Sequence, residues 1–174
     1  MQKVTVLFTA IAFLLTSSFI NPTKEKINWL TLQELEVAYS KQPKPVLIDL
    51  YTDWCGWCKV MDKDTYSKEN VAAYINQNYY AVKFNAETTD SVSFGGKTYN
   101  YNKGYKVNDL AMYLSFGQLS FPTTIFLSSV DAQPAPIPGF MKPADMEAPL
   151  KYFGDAVYKT KTFSEFMKSF SKTW

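Results

Sequence analysis

The chain has 174 residues, enough for one ordinary domain with a substantial core. Hydrophobic residues make up 47% and aromatics 17%, which excludes a disordered class, and a net charge of +2 without a basic block argues against nucleic acid as a partner. Histidine is absent, which removes Ser/His and Cys/His catalysis, histidine-ligated metals and histidine pH switches.

Met1-Gln2-Lys3 is a short positive start, Val4 to Leu15 is uncharged and mostly apolar, and Thr16-Ser17-Ser18 supplies small residues before Asn21-Pro22. The pattern reads as a cleaved signal peptide over residues 1–20, with the folded domain over 21–174. The alternative is an uncleaved membrane anchor, because Val4 to Ile20 reaches 17 residues, the bottom of the spanning range of about 17–25. Export makes the protein periplasmic or secreted. A bacterial periplasm fits better than an endoplasmic reticulum, since the chain has no valid Asn-x-Ser/Thr site and Ser171-Lys172-Thr173-Trp174 is not a retention signal.

Thr31-Leu32-Gln33-Glu34 is a capping box, opening a helix expected to run to about Ser40, before Pro43 and Pro45. Val46 to Tyr51 is a continuous apolar run interrupted by Asp49, a buried strand. Trp54-Cys55-Gly56-Trp57-Cys58-Lys59 leads from it into a helix ending near Ser67, where a second helix over Val71, Tyr74 and Ile75 can be capped. Tyr79 to Asn85 is the next strand. Ser91 to Phe94 and Lys97 to Tyr101 alternate about Gly95-Gly96, a hairpin signal. Val107 to Phe116 reads as helix, ended by Gly117. Pro122 to Leu127 and about Ala132 to Ile137 form a strand pair. Thr162-Phe163-Ser164-Glu165 is a second capping box, with Phe163, Phe166, Met167 and Phe170 at helical spacing. The alternation predicts an α/β fold, a mixed central sheet flanked by helices.

Cys55 and Cys58 are the only cysteines. Two thiols separated by two residues can close as a disulfide or open as a dithiol, and a pair between an apolar strand and a helix is a redox device first. At this point the chain resembles the thioredoxin family, whose motif is strand, Trp-Cys-x-x-Cys-Lys, helix. The resemblance extends over roughly residues 30 to 170. Asp49 stands where the family has a buried acid, Lys83 where it has a lysine on the next strand, Pro122 at its cis proline, and Gly139 at its late glycine. Trp57 departs from the proline usual between the cysteines of thioredoxin itself. The segment from Lys83 to Pro122 spans 39 positions, where a parallel crossover needs about a dozen, so a hairpin and helix are inserted before the cis-proline strand.

The resemblance implies that Cys55 attacks a substrate disulfide, that Cys58 is buried and resolves the intermediate, and that Asp49, with Lys83 nearby, accepts the proton of Cys58. Asp49 can also be read as a solvated or simply paired carboxylate. Trp54, Gly56, Trp57, Phe121 and Pro122 are the implied substrate-binding residues, with Trp54 packed beneath the site and Trp57 either touching substrate or packing. The function this implies is an exported thiol:disulfide oxidoreductase, a monomer that reduces protein disulfides and is recharged by a membrane or soluble electron donor. Its redox group is the Cys55–Cys58 disulfide, with no further cofactor and no metal. The alternatives are a redox-inactive peptide-binding module and a Cu(I)-handling protein, since two thiolates suit a soft ion. Zinc would need about four ligands, and Lys59 stands where covalent haem attachment needs histidine.

Overall fold

The computed structural model describes residues 25–174, so the signal peptide expected over 1–20 and the start of the domain at 21 lie outside the described residues. In chain order, β1 (Trp29–Leu30) and α1 (Leu32–Lys41) lead to β2 (Val46–Tyr51), and α2 (Gly56–Met61) runs on through a π-helical turn (Asp62–Tyr66) to α3 (Glu69–Asn78) and β3 (Tyr80–Asn85). Two small hairpins follow, β4 (Val92–Phe94) with β5 (Lys97–Tyr99) and β6 (Tyr101–Asn102) with β7 (Val107–Asn108). Then come α4 (Asp109–Leu114), β8 (Thr123–Leu127), β9 (Ala135–Pro138), α5 (Pro143–Gly154), a 3-10 turn (Val157–Lys159) and α6 (Phe163–Ser169). The main sheet has the order β1-β3-β2-β8-β9, with β1, β3 and β2 parallel and β8 and β9 antiparallel.

β2 is apolar almost throughout because helices cover both faces of the sheet. Val46, Ile48 and Leu50 enter a core with Leu35 of α1 and Leu110 and Leu114 of α4. Leu47 enters the opposite core with Met61, Ile75, Phe126, Met146 and Leu150. Each fully buried leucine contributes roughly 1.5–3 kcal/mol. Side chains alternate along a strand, so Asp49 lies on the same face as Leu47. That face carries α2, the π turn, α3 and α5.

Both capping boxes form as read: the Thr31 and Thr162 hydroxyls accept from the amides of Glu34 and Glu165, whose carboxylates reach back. Gly95 and Gly96 turn the β4–β5 hairpin at φ +57° and +71°, the left-handed conformation such a turn requires. This insertion is part of the core, since Val92, Phe94 and Val107 are buried with β2.

Two of the helix expectations differ, and one further helix is found. Val107 and Asn108 pair with β6, and the helix begins only at Asp109, where the buried Asn108 side chain accepts from the Leu110 amide at 3.0 Å. Ser67 ends the π turn through its amide to the Asp62 carbonyl at 3.0 Å, and α3 starts at Glu69 with Lys68 as its N-cap and no side-chain cap. Helix α5 has no counterpart in the sequence reading; it carries Pro143 and Pro149, a residue type disfavoured inside helices. Pro143 sits at the start, where it has no helical amide to lose, and burial of Met146 and Leu150 outweighs the cost of Pro149, about 3 kcal/mol. Gly154, the last residue of α5, packs so closely on α3 that a Cβ there would lie 2.8 Å from the Tyr74 hydroxyl.

Candidate active site

Cys55 is the N-cap of α2 and is bonded to Cys58, with Cα atoms 5.3 Å apart. The Cys58 amide donates to the Cys55 sulfur at 3.0 Å. The helix start thus directs an otherwise unpaired amide at the first sulfur, a geometry that favours its thiolate when the bond opens. Both cysteines are 4% exposed, so burial does not separate them; position on the helix does.

The Phe121–Pro122 bond is cis, and Pro122 borders a cleft of about 280 Å³ with Trp57, Phe121, Gly139 and Phe140. The Gly139 amide donates to the Pro122 carbonyl at 2.8 Å, fastening the end of β9 beside the proline. Trp54 does not pack beneath the site. It is 67% exposed, set edge-on to Phe121 at 5.9 Å, and its indole N–H donates to Glu87 at 3.0 Å. A polar N–H that needs an acceptor turns the ring outward, where Glu87 waits at the end of β3. Trp57 is exposed too, 5.7 Å from Phe140. Gly56 has open space around its missing Cβ, so it leaves the approach to the disulfide clear.

On β2, the strand that leads to the disulfide, Asp49 is the middle of three polar side chains that form one row across the sheet. Asp49 stands opposite Lys83 in the parallel register and opposite Thr124 in the antiparallel one. Asp49 is 2% exposed. One of its oxygens lies 3.6 Å from the Lys83 ammonium, and the other is buried with no hydrogen-bond partner. The solvated reading of Asp49 is therefore excluded. Burial pushes its carboxyl up to about 7; Lys83 opposes the rise and the charge of Asp62 adds to it.

Asp62 and Tyr66 were not singled out in the sequence. Asp62 holds Lys83 at 2.6 Å, and the Tyr66 hydroxyl meets that of Thr124 at 3.1 Å. Asp62 follows Cys58 by four residues, one helical turn, which would have placed it on the face of the cysteine. Tyr66 gives no such signal, because a buried aromatic reads simply as core. Glu25, Trp29, Asp62, Tyr66 and Lys83 border a cavity of about 320 Å³. Among the described residues, no group of three or more cysteine, aspartate or glutamate side chains is arranged to hold a metal ion.

Residues 13–148 match the family Thioredox_DsbH, described as "protein of unknown function, DUF255". The thiol:disulfide interchange protein DsbD of Cronobacter sakazakii is 31% identical over 120 residues, 68% of this chain and 17% of that protein. DsbD of Pectobacterium atrosepticum is 39% identical over 46 residues, 26% of this chain and 8% of that one. The chain thus spans a small part of these curated relatives. A thioredoxin-fold protein from Helicobacter pylori superimposes with a TM-score of 0.55 at 20% identity, covering 72% of this chain and 78% of that one. A structure described as DsbH oxidoreductase gives 0.53 at 13% identity, covering 88% and 95%. At such identities the likeness is one of fold, and the fold is thioredoxin-like.

Proposed function

The chain belongs to the Thioredox_DsbH family, and from that premise we propose that it is an exported thiol:disulfide oxidoreductase that reduces protein disulfides. The observation that carries this reading is the Cys55–Cys58 bond at the start of α2, with the Cys58 amide directed at the Cys55 sulfur. The two relatives, each a thiol:disulfide interchange protein, support the same chemistry.

In the reduced protein the Cys55 thiolate attacks one sulfur of a substrate disulfide. A mixed disulfide forms, and the other substrate sulfur leaves as a thiolate that takes a proton from solvent. Asp49 then accepts the proton of Cys58, and the Cys58 thiolate attacks Cys55. The Cys55–Cys58 bond closes and the second substrate thiolate leaves. The two electrons given to the substrate are restored by a membrane or soluble electron donor. Trp57, Phe121 and Pro122 border one cleft and Trp54 lies against Phe121, and in this reading these residues touch the substrate. Residues 1–20 act in this reading as the export signal and residues 21–174 as the domain; no helix among the described residues is long and apolar enough to cross a membrane.

The test is Cys58→Ser, expressed with its own leader in the native host. The variant cannot resolve the intermediate, so it accumulates as mixed disulfides with extracytoplasmic proteins, reversible by dithiothreitol and lost when Cys55→Ser is added. A folded, exported variant that forms no adducts refutes the oxidoreductase reading in favour of a peptide-binding module.

A further inference from the structure

Asp49 meets Lys83 with one oxygen, while its Oδ1 is buried with no hydrogen-bond partner. An acid that takes and returns a proton needs a donor when ionised and an acceptor when neutral, and an unmet buried group costs about 1–3 kcal/mol. Lys83 can only donate, and ionised Asp62 can only accept. Tyr51, two positions along the same strand, lies under the Lys83 ammonium at 5.2 Å. A hydroxyl serves both roles; the cross-strand neighbour of Asp49, Thr124, carries one, and a second, that of Tyr66, is hydrogen-bonded to it.

Thr124 is the cross-strand neighbour of Asp49 on the same face of the sheet, where opposed Cβ atoms lie about 4.5–5.5 Å apart. Its hydroxyl meets that of Tyr66 at 3.1 Å, and either oxygen can be the donor. Tyr66 is 3% exposed and its ring lies edge-on to Trp29 at 5.1 Å, so the phenol is held in place. Burial, and after it the charge of Asp49, keep the phenol protonated. The residue also borders the 320 Å³ cavity shared with Asp62 and Lys83.

We propose that Tyr66, acting through Thr124, is a positioning residue for Asp49, the two hydroxyls forming a reversible chain that donates to the carboxylate and turns round to accept from the acid. With Asp49 ionised, Tyr66 donates to Thr124 and Thr124 donates through one bridging water to Oδ1, which has no direct partner. When Asp49 holds the proton of Cys58, it donates through that water to Thr124, Thr124 donates to Tyr66, and Tyr66 donates into the cavity. No bond to sulfur is made or broken by the chain. The proposal rests on the oxidoreductase reading for its role in turnover, but not for its geometry.

The test is Tyr66→Phe, which keeps the ring against Trp29 and removes only the hydroxyl, with Thr124→Val as the second variant. The Asp49 carboxyl carbon is titrated by NMR in the oxidised protein. The hydrogen bond to the ionised carboxylate is stronger than the one from the neutral acid, so loss of the chain disfavours the carboxylate on balance, and each variant moves the midpoint up by about half a pH unit, a roughly threefold fall in the ionised fraction on the acid side. The double variant moves it no further than the larger single change, because the hydroxyls act as one chain. In single-turnover kinetics the resolving step shows the same displacement of its pH profile, and the attack by Cys55 does not. Midpoints that stay put or fall in both variants overturn the proposal and leave the oxidoreductase reading standing. Displaced midpoints in a protein whose wild type resolves no mixed disulfide refute the role in turnover along with that reading.

Discussion

Lys83 is the register neighbour of Asp49 across the parallel strands, yet its ammonium lies 3.6 Å from Asp49 and 2.6 Å from Asp62. One cation thus serves two acids, and the exposed one holds it more closely. The buried acid is left with partial compensation, which is why its carboxyl stands at about 7 rather than in the usual carboxylate range.

Asp62→Asn removes a negative charge near Asp49 and frees Lys83 to turn to it. Both effects favour the Asp49 carboxylate, so its titration midpoint falls. The ionised fraction at pH 6 rises by about threefold or more, and the resolving step becomes faster at that pH. An Asp49 midpoint in Asp62→Asn equal to the wild-type value would show that Lys83 does not redistribute.

The raised carboxyl of Asp49 also links stability to pH. The folded protein keeps this proton up to about pH 7, whereas the unfolded chain releases it near 3.8. The stabilising contribution is therefore complete below about 3.8 and is lost as pH rises through 7, to an extent on the order of 4 kcal/mol. Asp49→Asn, which never ionises, should match wild type in urea denaturation at pH 4 and exceed it at pH 8. Its resolving step should be slow at both pH values.

Glu147 shows the opposite sign. Burial would raise its carboxyl, but hydrogen bonds from Lys151, Thr173 and the Trp174 amide hold it down to about 2. Its contribution is present above the unfolded value near 4.5 and lost as pH falls through 2. Glu147→Gln should cost about 1–3 kcal/mol at pH 7 and less at pH 2. It should also raise amide exchange at Thr173 and Trp174, which this carboxylate ties to α5.

β9 is an edge strand, and its inward amides belong to alternate residues ending at Gly139, which donates to Pro122. Pro136 and Pro138 fall between them, so the outer side of the edge has no donor at those positions. Replacing both by valine restores the donors. Sedimentation velocity of that variant should show self-association beyond wild type, while the Cys55–Cys58 chemistry continues.

The motif around Cys55 and Cys58, both capping boxes, the hairpin at Gly95-Gly96 and the strands either side of Asp49 were readable from residue order because each is encoded within a few neighbouring positions. So was the family, since Asp49, Lys83, Pro122 and Gly139 occur in the right sequence around one motif. Helix α5 was not, because its two prolines carry a local signal against helix that only packing on the sheet overrides. The outward setting of Trp54 was not either, since Glu87, its acceptor, is distant in sequence and adjacent only in the fold. The surroundings of Asp49 are the clearest case: chain order places a carboxylate in an apolar strand and nothing more. Which cation it shares, which of its oxygens lacks a partner and which hydroxyls stand near depend on the register of three strands and on a π turn that sets Asp62 and Tyr66 over them. Electrostatics acts through space, and space is assigned only when the sheet has formed.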